Sequence, residues 1–335
     1  MNRLIKPLII LAVLVAIALA VHYTGTDRSR PDAEISFRIA LDSTAVERVE
    51  ISRQDAQVTL LKGSQGWTVK TPFGIKPADE EAITSAISSL VQISQAELVS
   101  HNPDKQAEYR TDDASGTRVK FIGAGDKVLE DLIVGKLGGF EQQQRMMAMG
   151  GQPGQFDPQS FHTYMRPAGS GRVFKVPGFF ASITGADPDQ WRDHVICSFP
   201  ASKAVRLTLA SGDRITVLEP DTAGLWEVAG DQRAPADSMT VAAMLRSLGS
   251  FRAESFQDSA LTDEELGLDK PSFQMAAELE DGTRVEVEIG KEYQDDYFYA
   301  RRVGAGQVYR LPRYRLEQIM KNRTEILTGK KEGEE

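Results

Sequence analysis

Two stretches of the chain, QGWTVKTPFGIKPAD at residues 65–79 and GLWEVAGDQRAPAD at residues 224–237, carry the same features in the same order. In each, a Trp is followed two residues later by a Val, then by a turn-rich segment, and then by Pro-Ala-Asp. The spacing from Val46 to Val205 equals the spacing from Trp67 to Trp226. These two stretches therefore predict an internal duplication.

Each copy begins with alternating apolar and polar residues, interrupted by Gly or Asp turns. This pattern predicts three short antiparallel strands, with Trp67 and Trp226 facing inward. Asp79 and Asp237 follow, at positions where a carboxylate can accept hydrogen bonds from the free N–H groups of a helix. Apolar residues at helical spacing then predict one amphipathic helix per copy. They are Ile83, Ile87, Leu90 and Val91 in the first copy and Val241, Met244, Leu245 and Leu248 in the second.

Two hairpins and a last helix complete each predicted copy. The predicted fold class is α+β: an N-terminal transmembrane helix, then two similar repeats, each a mainly antiparallel twisted sheet with one long packed helix and a terminal helix. The predicted parts are a transmembrane anchor at 1–23, a tether at 24–40, a first repeat at 41–197 with an insert loop at 137–160, a second repeat at 198–328 and a charged tail at 329–335.

The N-terminus predicts contact with a membrane. Arg3 and Lys6 precede an apolar run, and residues 7–23 reach the length that a tilted span needs, about 17 residues. The alternative is a cleaved signal peptide, because Ala18-Leu19-Ala20 resembles a cleavage site. No Cys follows the run, which excludes a lipid-modified N-terminus. The positive flank places the rest of the chain outside the cytoplasm, which in a bacterium with two membranes is the periplasm.

Charge and cysteine content exclude several classes of protein. The formal net charge of −9 argues against a nucleic-acid partner, because phosphate binding needs a basic face. The single cysteine, Cys197, excludes an internal disulfide and a site with several thiolates. It lies in the apolar run HVICSF, which predicts a small buried side chain.

The chain shows no reactive motif, and we predict no catalytic, cofactor-binding or metal-binding residue. Gly135-Lys136 and Gly290-Lys291 lack the remaining residues of a phosphate-binding loop, and a turn after a strand is the simpler interpretation. The Met-rich insert and the HTYM segment could hold Cu(I), although an adaptable contact loop is the simpler interpretation here too. The residues concerned are Met146, Met147, Met149, His162 and Met165. Residues 309–323 are locally basic; a solvated helix face is the simpler interpretation, and a basic face beside a bilayer or an acidic partner is the alternative.

Three short runs carry a resemblance to a known family. They are Trp191-Arg192-Asp193, the run Gly267-Leu268-Asp269-Lys270-Pro271 and the strand end Ile289-Gly290-Lys291. With the N-terminal anchor and the duplication, they resemble the bacterial membrane-anchored domain-of-unknown-function proteins encoded beside gliding-motility-type ABC transporter components. The first copy departs from the pattern, because AEYRTDDASG replaces the Gly-Leu-Asp-x-Pro turn. In that turn, Gly267 is suited to end a helix in the left-handed conformation.

These observations lead to one expected function and two alternatives. The expected function is a non-enzymatic, membrane-anchored periplasmic auxiliary or scaffold protein of an envelope ABC transporter system. Its expected partners are the lipid bilayer, through residues 7–23, and a transporter permease, with no nucleic acid. One alternative is a periplasmic small-molecule or glycan-binding protein with its site between the two repeats. The other is a hydrolase whose residues converge only in three dimensions.

Overall fold

The computed structural model describes residues 37–93, 95–139, 161–230, 233–294 and 296–328. The predicted anchor, most of the tether, the charged tail and residues 140–160 of the insert lie outside these ranges. Within them, no helix is long and apolar enough to cross a membrane.

The described chain is built mainly from antiparallel β-sheet. The first large sheet contains β1 Arg48–Arg53, β2 Ala56–Gly63, β3 Gly66–Thr71, β4 Gly74–Pro77, β5 Glu97–Ser100, β6 Thr117–Gly123, β7 Lys127–Gly138, β8 His162–Pro167 and β9 Val173–Pro177. The second contains β11 Ala204–Ser211, β12 Arg214–Pro220, β13 Trp226–Val228, β14 Ala234–Pro235, β16 Ser255–Gln257, β17 Phe273–Leu279, β18 Arg284–Tyr293, β19 Tyr297–Arg302 and β20 Val308–Pro312. A small sheet pairs β10 Val195–Ser198 with β15 Ser250–Arg252.

The two nine-stranded sheets have the same strand order. The first runs β4-β3-β2-β1-β6-β7-β8-β9-β5 and the second β14-β13-β12-β11-β17-β18-β19-β20-β16. The strands correspond one to one along the chain, with a helix at the same point in each copy. The described contacts divide the chain into two compact units, one built from residues 37–57 with Ile83–Ala186, the other from Val58–Ala82 with residues 187–328. The boundaries predicted at 41–197 and 198–328 stay a prediction.

The helices within the described ranges are few and short. They are α1 Glu80–Val91, α2 Ser238–Gly249, α3 Asp263–Leu266, α4 Arg313–Leu316 and α5 Arg323–Thr328. The predicted α+β class with helix-packed repeats is therefore wrong, and the chain is mostly antiparallel β. The predicted terminal helix of the second copy is two helical pieces of 4 and 6 residues.

The class was misjudged because several strands give no alternation signal. The edge strands β4 and β14 are short and contain Pro77 and Pro235, and proline weakens a strand prediction. The other edge strands, β5 and β16, have only 4 and 3 residues, too few to show a clear alternation. When these strands are counted, strand residues outnumber helix residues clearly, and the fold is mainly β rather than mixed.

The predicted helix faces are largely confirmed. Val241, Met244, Leu245 and Leu248 of α2 are buried in one cluster with the apolar residues of the second sheet. In α1, Ile83, Ile87 and Leu90 are buried, but Val91 is 39% exposed. Both predicted caps are present: Asp79 Oδ1 accepts a hydrogen bond from the Ala82 N–H at 3.0 Å, and Asp237 Oδ1 accepts one from the Thr240 N–H at 2.7 Å.

The two Gly-Lys pairs lie inside strands β7 and β18, so the predicted turn after a strand is wrong. A Cβ on Gly135 would lie 2.3 Å from the carbonyl oxygen of Tyr109. A Cβ on Gly290 would lie 2.2 Å from the carbonyl oxygen of Leu266. In each copy, glycine therefore lets the strand pass against the backbone of the segment that leads into β6 or β17.

We expect Gly290→Ala to lower the free energy of unfolding by about 1–3 kcal/mol, the usual cost of forcing extra volume into a packed site. The measurement is equilibrium denaturant unfolding of the full chain. Gly306→Ala is the matched control, because a Cβ there would meet nothing within 4 Å. Its stability should change by no more than about 0.5 kcal/mol. Equal stability of the two variants would contradict the close-contact argument.

Candidate functional site

The Trp191-Arg192-Asp193 motif forms a short antiparallel bridge to the end of β4. The Asp79 N–H donates to the Trp191 carbonyl oxygen at 2.8 Å, and the Asp193 N–H donates to the Pro77 carbonyl oxygen at 3.0 Å. The Trp191 side chain is buried. The side chain of Arg192 between them is only 2% exposed, so this motif places a full positive charge in the protein interior.

The two terminal nitrogens of Arg192 make four side-chain hydrogen bonds. They donate to both carboxylate oxygens of Asp258, at 2.5 and 3.0 Å. They also donate to Asp189 Oδ1 at 3.0 Å and to Gln307 Oε1 at 3.1 Å. The guanidinium carbon lies 3.4 Å from the centre of the Phe256 ring, in cation–π geometry. A planar guanidinium suits this combination of bidentate pairing and stacking.

A second cation completes the group. Lys76 Nζ lies 3.3 Å from Asp258 Oδ1 and donates to Gln307 Oε1 at 3.4 Å. We call this group the Arg192 cluster; its members are Lys76, Asp189, Arg192, Phe256, Asp258 and Gln307. Two cations and two carboxylates balance its formal charge. Burial alone would raise the pKa of Asp258, but the hydrogen bonds and charges of Arg192 and Lys76 outweigh burial, and the pKa lies below its usual range.

His194 lies beside the Arg192 cluster and contacts two backbone segments, one at Asp189 and one at Ala253. Its Nε2 is 2.9 Å from the Asp189 carbonyl oxygen, and its Nδ1 is 3.2 Å from the Ala253 carbonyl oxygen. Its ring centre is 4.7 Å from that of Phe256. Both ring nitrogens therefore face backbone oxygens, and the imidazole fixes the chain around Arg192.

The chemistry of the Arg192 cluster is that of a structural ion network. Both oxygens of Asp258 and both terminal nitrogens of Arg192 are bound within the protein. A catalytic group must be able to reach a substrate atom. The cluster instead holds the Trp191–Asp193 segment in place, which gives the motif a structural role.

Each copy also contains an ionic contact of its own, made by the arginine of a Tyr-x-Arg sequence. The two sequences lie at equivalent positions of β8 and β19. In the first copy, Arg166 is 4% exposed and donates to the Thr111 carbonyl oxygen at 2.5 Å and to Asp113 Oδ1 at 2.6 Å. In the second, Arg301 binds both oxygens of Asp263, at 2.8 and 3.1 Å. Arg166 thereby holds the segment that leads into β6, and Arg301 holds the segment that leads into β17. The equivalence of Arg166 and Arg301 was not predicted from the sequence, although an alignment of YMRP at 164–167 with YARR at 299–302 places the two arginines at the same position.

The partners of Arg192 were also missed. Asp258 and Gln307 are 66 and 115 residues away from Arg192 along the chain. No local pattern marks either residue. The only signal was Arg192 itself, in a run that carried the family resemblance.

The copper hypothesis finds no support in the described part of the insert region. His162 and Met165 are separated by an odd number of positions on β8, so they project to opposite faces. Met165 is fully buried. Met146, Met147 and Met149 lie outside the described residues. Among the described residues, no group of three or more His, Cys, Asp or Glu side chains could hold a metal ion.

The other predicted features have ordinary packing roles. Cys197 is buried in the core, as predicted, and burial raises the pKa of its thiol to about 11. Trp67 is 6% exposed, while Trp226 is half-buried against the apolar core. Gly267 ends α3 with φ of 68°, which confirms the predicted left-handed cap. In the basic segment, Arg313 pairs with Glu292 and Asp296.

We expect Asp258→Asn to lower the free energy of unfolding by about 3–5 kcal/mol, because it removes the buried carboxylate that binds Arg192 and leaves only the half-exposed Asp189 to balance two cations. Denaturant unfolding of the full chain gives the value. Glu280→Gln is the control, since the Lys203–Glu280 pair has both side chains more than half exposed. An exposed pair contributes about 1 kcal/mol at most. A loss as small for Asp258→Asn as for Glu280→Gln would mean that the Arg192 cluster is not needed for stability.

The lowered pKa of Asp258 also predicts a dependence on pH. A carboxyl whose pKa is lower in the folded state stabilises the protein above its unfolded pKa, about 3.9, and this contribution is lost as the pH falls through the folded-state pKa. Unfolding free energies measured from pH 7 downward should therefore fall more steeply below about pH 4 in the wild type than in Asp258→Asn. Parallel curves for the two proteins would show that Asp258 is not the group involved.

One protein-family model matches part of this chain. Residues 226–330 match the model of a domain of unknown function, DUF4340. The match spans β13 to α5 and includes Asp258 and Gln307, together with the Gly267–Pro271 and Ile289–Lys291 runs. Searches among curated proteins and among solved structures found no match. Over these residues the chain is therefore similar to an uncharacterised domain family, as the sequence predicted.

Proposed function

We propose that this protein is a non-enzymatic, membrane-anchored periplasmic scaffold or auxiliary subunit of an envelope ABC transporter system. The observation that supports a binding role best is the use of buried charge. Arg192 binds Asp258, and Arg166 binds Asp113 and a backbone carbonyl oxygen, so these buried charges hold the chain segments around them in place. Segments held in place by paired ionic groups suit recognition of another protein.

Three further arguments support the location and the partner. Residues 7–23 have the length and flanking charge of an anchor that leaves the body outside the cytoplasm. The acidic net charge disfavours nucleic acid. The family that the sequence resembles is associated with ABC transporter components, which makes a permease the proposed partner.

The hairpin formed by β3 and β4 is the proposed contact surface. Phe73 at its turn is 60% exposed, and Ile75 on its edge strand is 63% exposed. Ile75 lies opposite Lys70 in the register. Clustered exposed apolar side chains of this kind mark surfaces that bind other proteins. The edge position also leaves Ile75 accessible to a partner.

The test is a pull-down of the tagged full chain from gently solubilised native membranes after brief crosslinking, read by mass spectrometry. We expect a transporter permease and its ATPase to be recovered together. Phe73→Ser with Ile75→Ser should reduce that recovery about tenfold, equivalent to about 1.4 kcal/mol of binding free energy. Removal of residues 1–23 should abolish it and move the protein to the soluble fraction.

Ile215→Ser is the matched control, because Ile215 is 68% exposed but lies at a different hairpin. It should leave recovery unchanged. Recovery of the tagged protein alone would overturn the transporter role. Equal loss in the Ile215 variant would remove the β3–β4 hairpin as the contact surface.

A further inference from the structure

A small cavity between α2 and α4 stands apart from the features described above. Its volume is about 190 Å³, and six residues line it: Arg246, Ser247, Ser250, Phe251, Arg315 and Gln318. Each water molecule occupies about 30 Å³ in the liquid, so the cavity has room for an anion the size of phosphate. Two of the six residues are arginines, and none is acidic.

The two arginines lack counter-charges. Neither Arg246 nor Arg315 makes an ion pair with any residue that the structure describes. The Nε–H of Arg315 is buried and has no hydrogen-bond partner in the described structure. Leaving a charged donor buried and unbonded costs free energy. An acceptor in the cavity would remove that cost.

The contrast with neighbouring arginines shows that this excess of positive charge is local. Arg313, two residues before Arg315, pairs with two carboxylates. Arg310 donates to the Phe256 carbonyl oxygen at 3.1 and 2.6 Å. At the cavity, by contrast, two arginines that make no described ion pair line one space, on a chain whose net charge is −9.

The polar residues of the lining leave donors available. The Ser247 hydroxyl donates to Gln318 Oε1 at 3.3 Å, which leaves the amide N–H₂ of Gln318 free to donate. The Ser250 hydroxyl donates to the Arg246 carbonyl oxygen at 2.8 Å. An entering anion would therefore meet two guanidinium groups and one amide. Guanidinium groups bind phosphate oxygens through paired, charge-assisted hydrogen bonds.

We propose that this cavity is a phosphate-binding site, with Arg246 and Arg315 as its charged ligands and Gln318 as a neutral donor. The ligand is a phosphate group carrying about two negative charges, which matches two cations. It can come from free phosphate or from a phosphate monoester, such as a lipid whose headgroup is a terminal phosphate. The proposal is independent of the transporter role.

The experiment is isothermal titration calorimetry on the full chain in detergent at constant ionic strength. One arm titrates inorganic phosphate, a second titrates glycerol 3-phosphate, and a chloride titration gives the background. We expect saturable phosphate binding that Arg246→Gln and Arg315→Gln each weaken by about tenfold, the loss typical of a charge-assisted contact. Tighter binding of glycerol 3-phosphate than of phosphate would identify the monoester as the ligand.

Arg323→Gln is the matched control, because it removes the same charge from an exposed arginine of the same region. Its phosphate affinity should stay within about twofold of the wild type. Arg315 is half-buried, so Arg246→Gln, at an exposed position, keeps the test valid if the Arg315 variant fails to fold. No heat beyond the chloride background, or equal losses in all three variants, would overturn the proposal.

Discussion

The bidentate contact between Arg192 and Asp258 is the interaction on which the second unit depends most. A guanidinium that is 2% exposed must find partners inside the protein, because water cannot reach it. Its hydrogen-bond partners are Asp189, Asp258 and Gln307, and Lys76 in turn binds Asp258 and Gln307. The need to satisfy one buried charge therefore fixes the relative positions of β4, the Trp191–Asp193 segment, the end of β16 and the start of β20. Removing Asp258 would take away two of the four hydrogen bonds that the guanidinium makes to side chains.

The two copies keep the same strand order while using different local contacts. Glycine permits the same close backbone approach at Gly135 and Gly290. A Tyr-x-Arg sequence secures the same segment in each copy, through Arg166 and Arg301. The details differ: Arg166 is buried and binds a carbonyl oxygen and one carboxylate, whereas Arg301 is partly exposed and binds two carboxylates. The backbone geometry is the shared element, and the side-chain chemistry has diverged around it.

The sequence predicted local structure well and distant contacts poorly. Alternation and helical spacing identified strands, helix caps and the buried faces around Ile83 and Val241, because these depend on neighbours in the chain. The prediction of the fold class was wrong because the short edge strands with Pro77 and Pro235 have no periodic pattern. The Arg192 cluster could not be predicted, since Asp258 and Gln307 lie far from Arg192 in sequence. The cavity lined by Arg246 and Arg315 could not be predicted either, since these two residues also lie far apart in sequence.

The prolines at the outer strands have a consequence for solubility. Pro77 and Pro235 occupy equivalent edge strands, β4 and β14, at the first position in the strand order of each sheet. Proline has no N–H, so at that point the edge offers no donor to an incoming strand. The carbonyl oxygen of Pro77 is already bound by the Asp193 N–H. A protein with so much sheet risks edge-to-edge aggregation, and here the same residue blocks it in both copies.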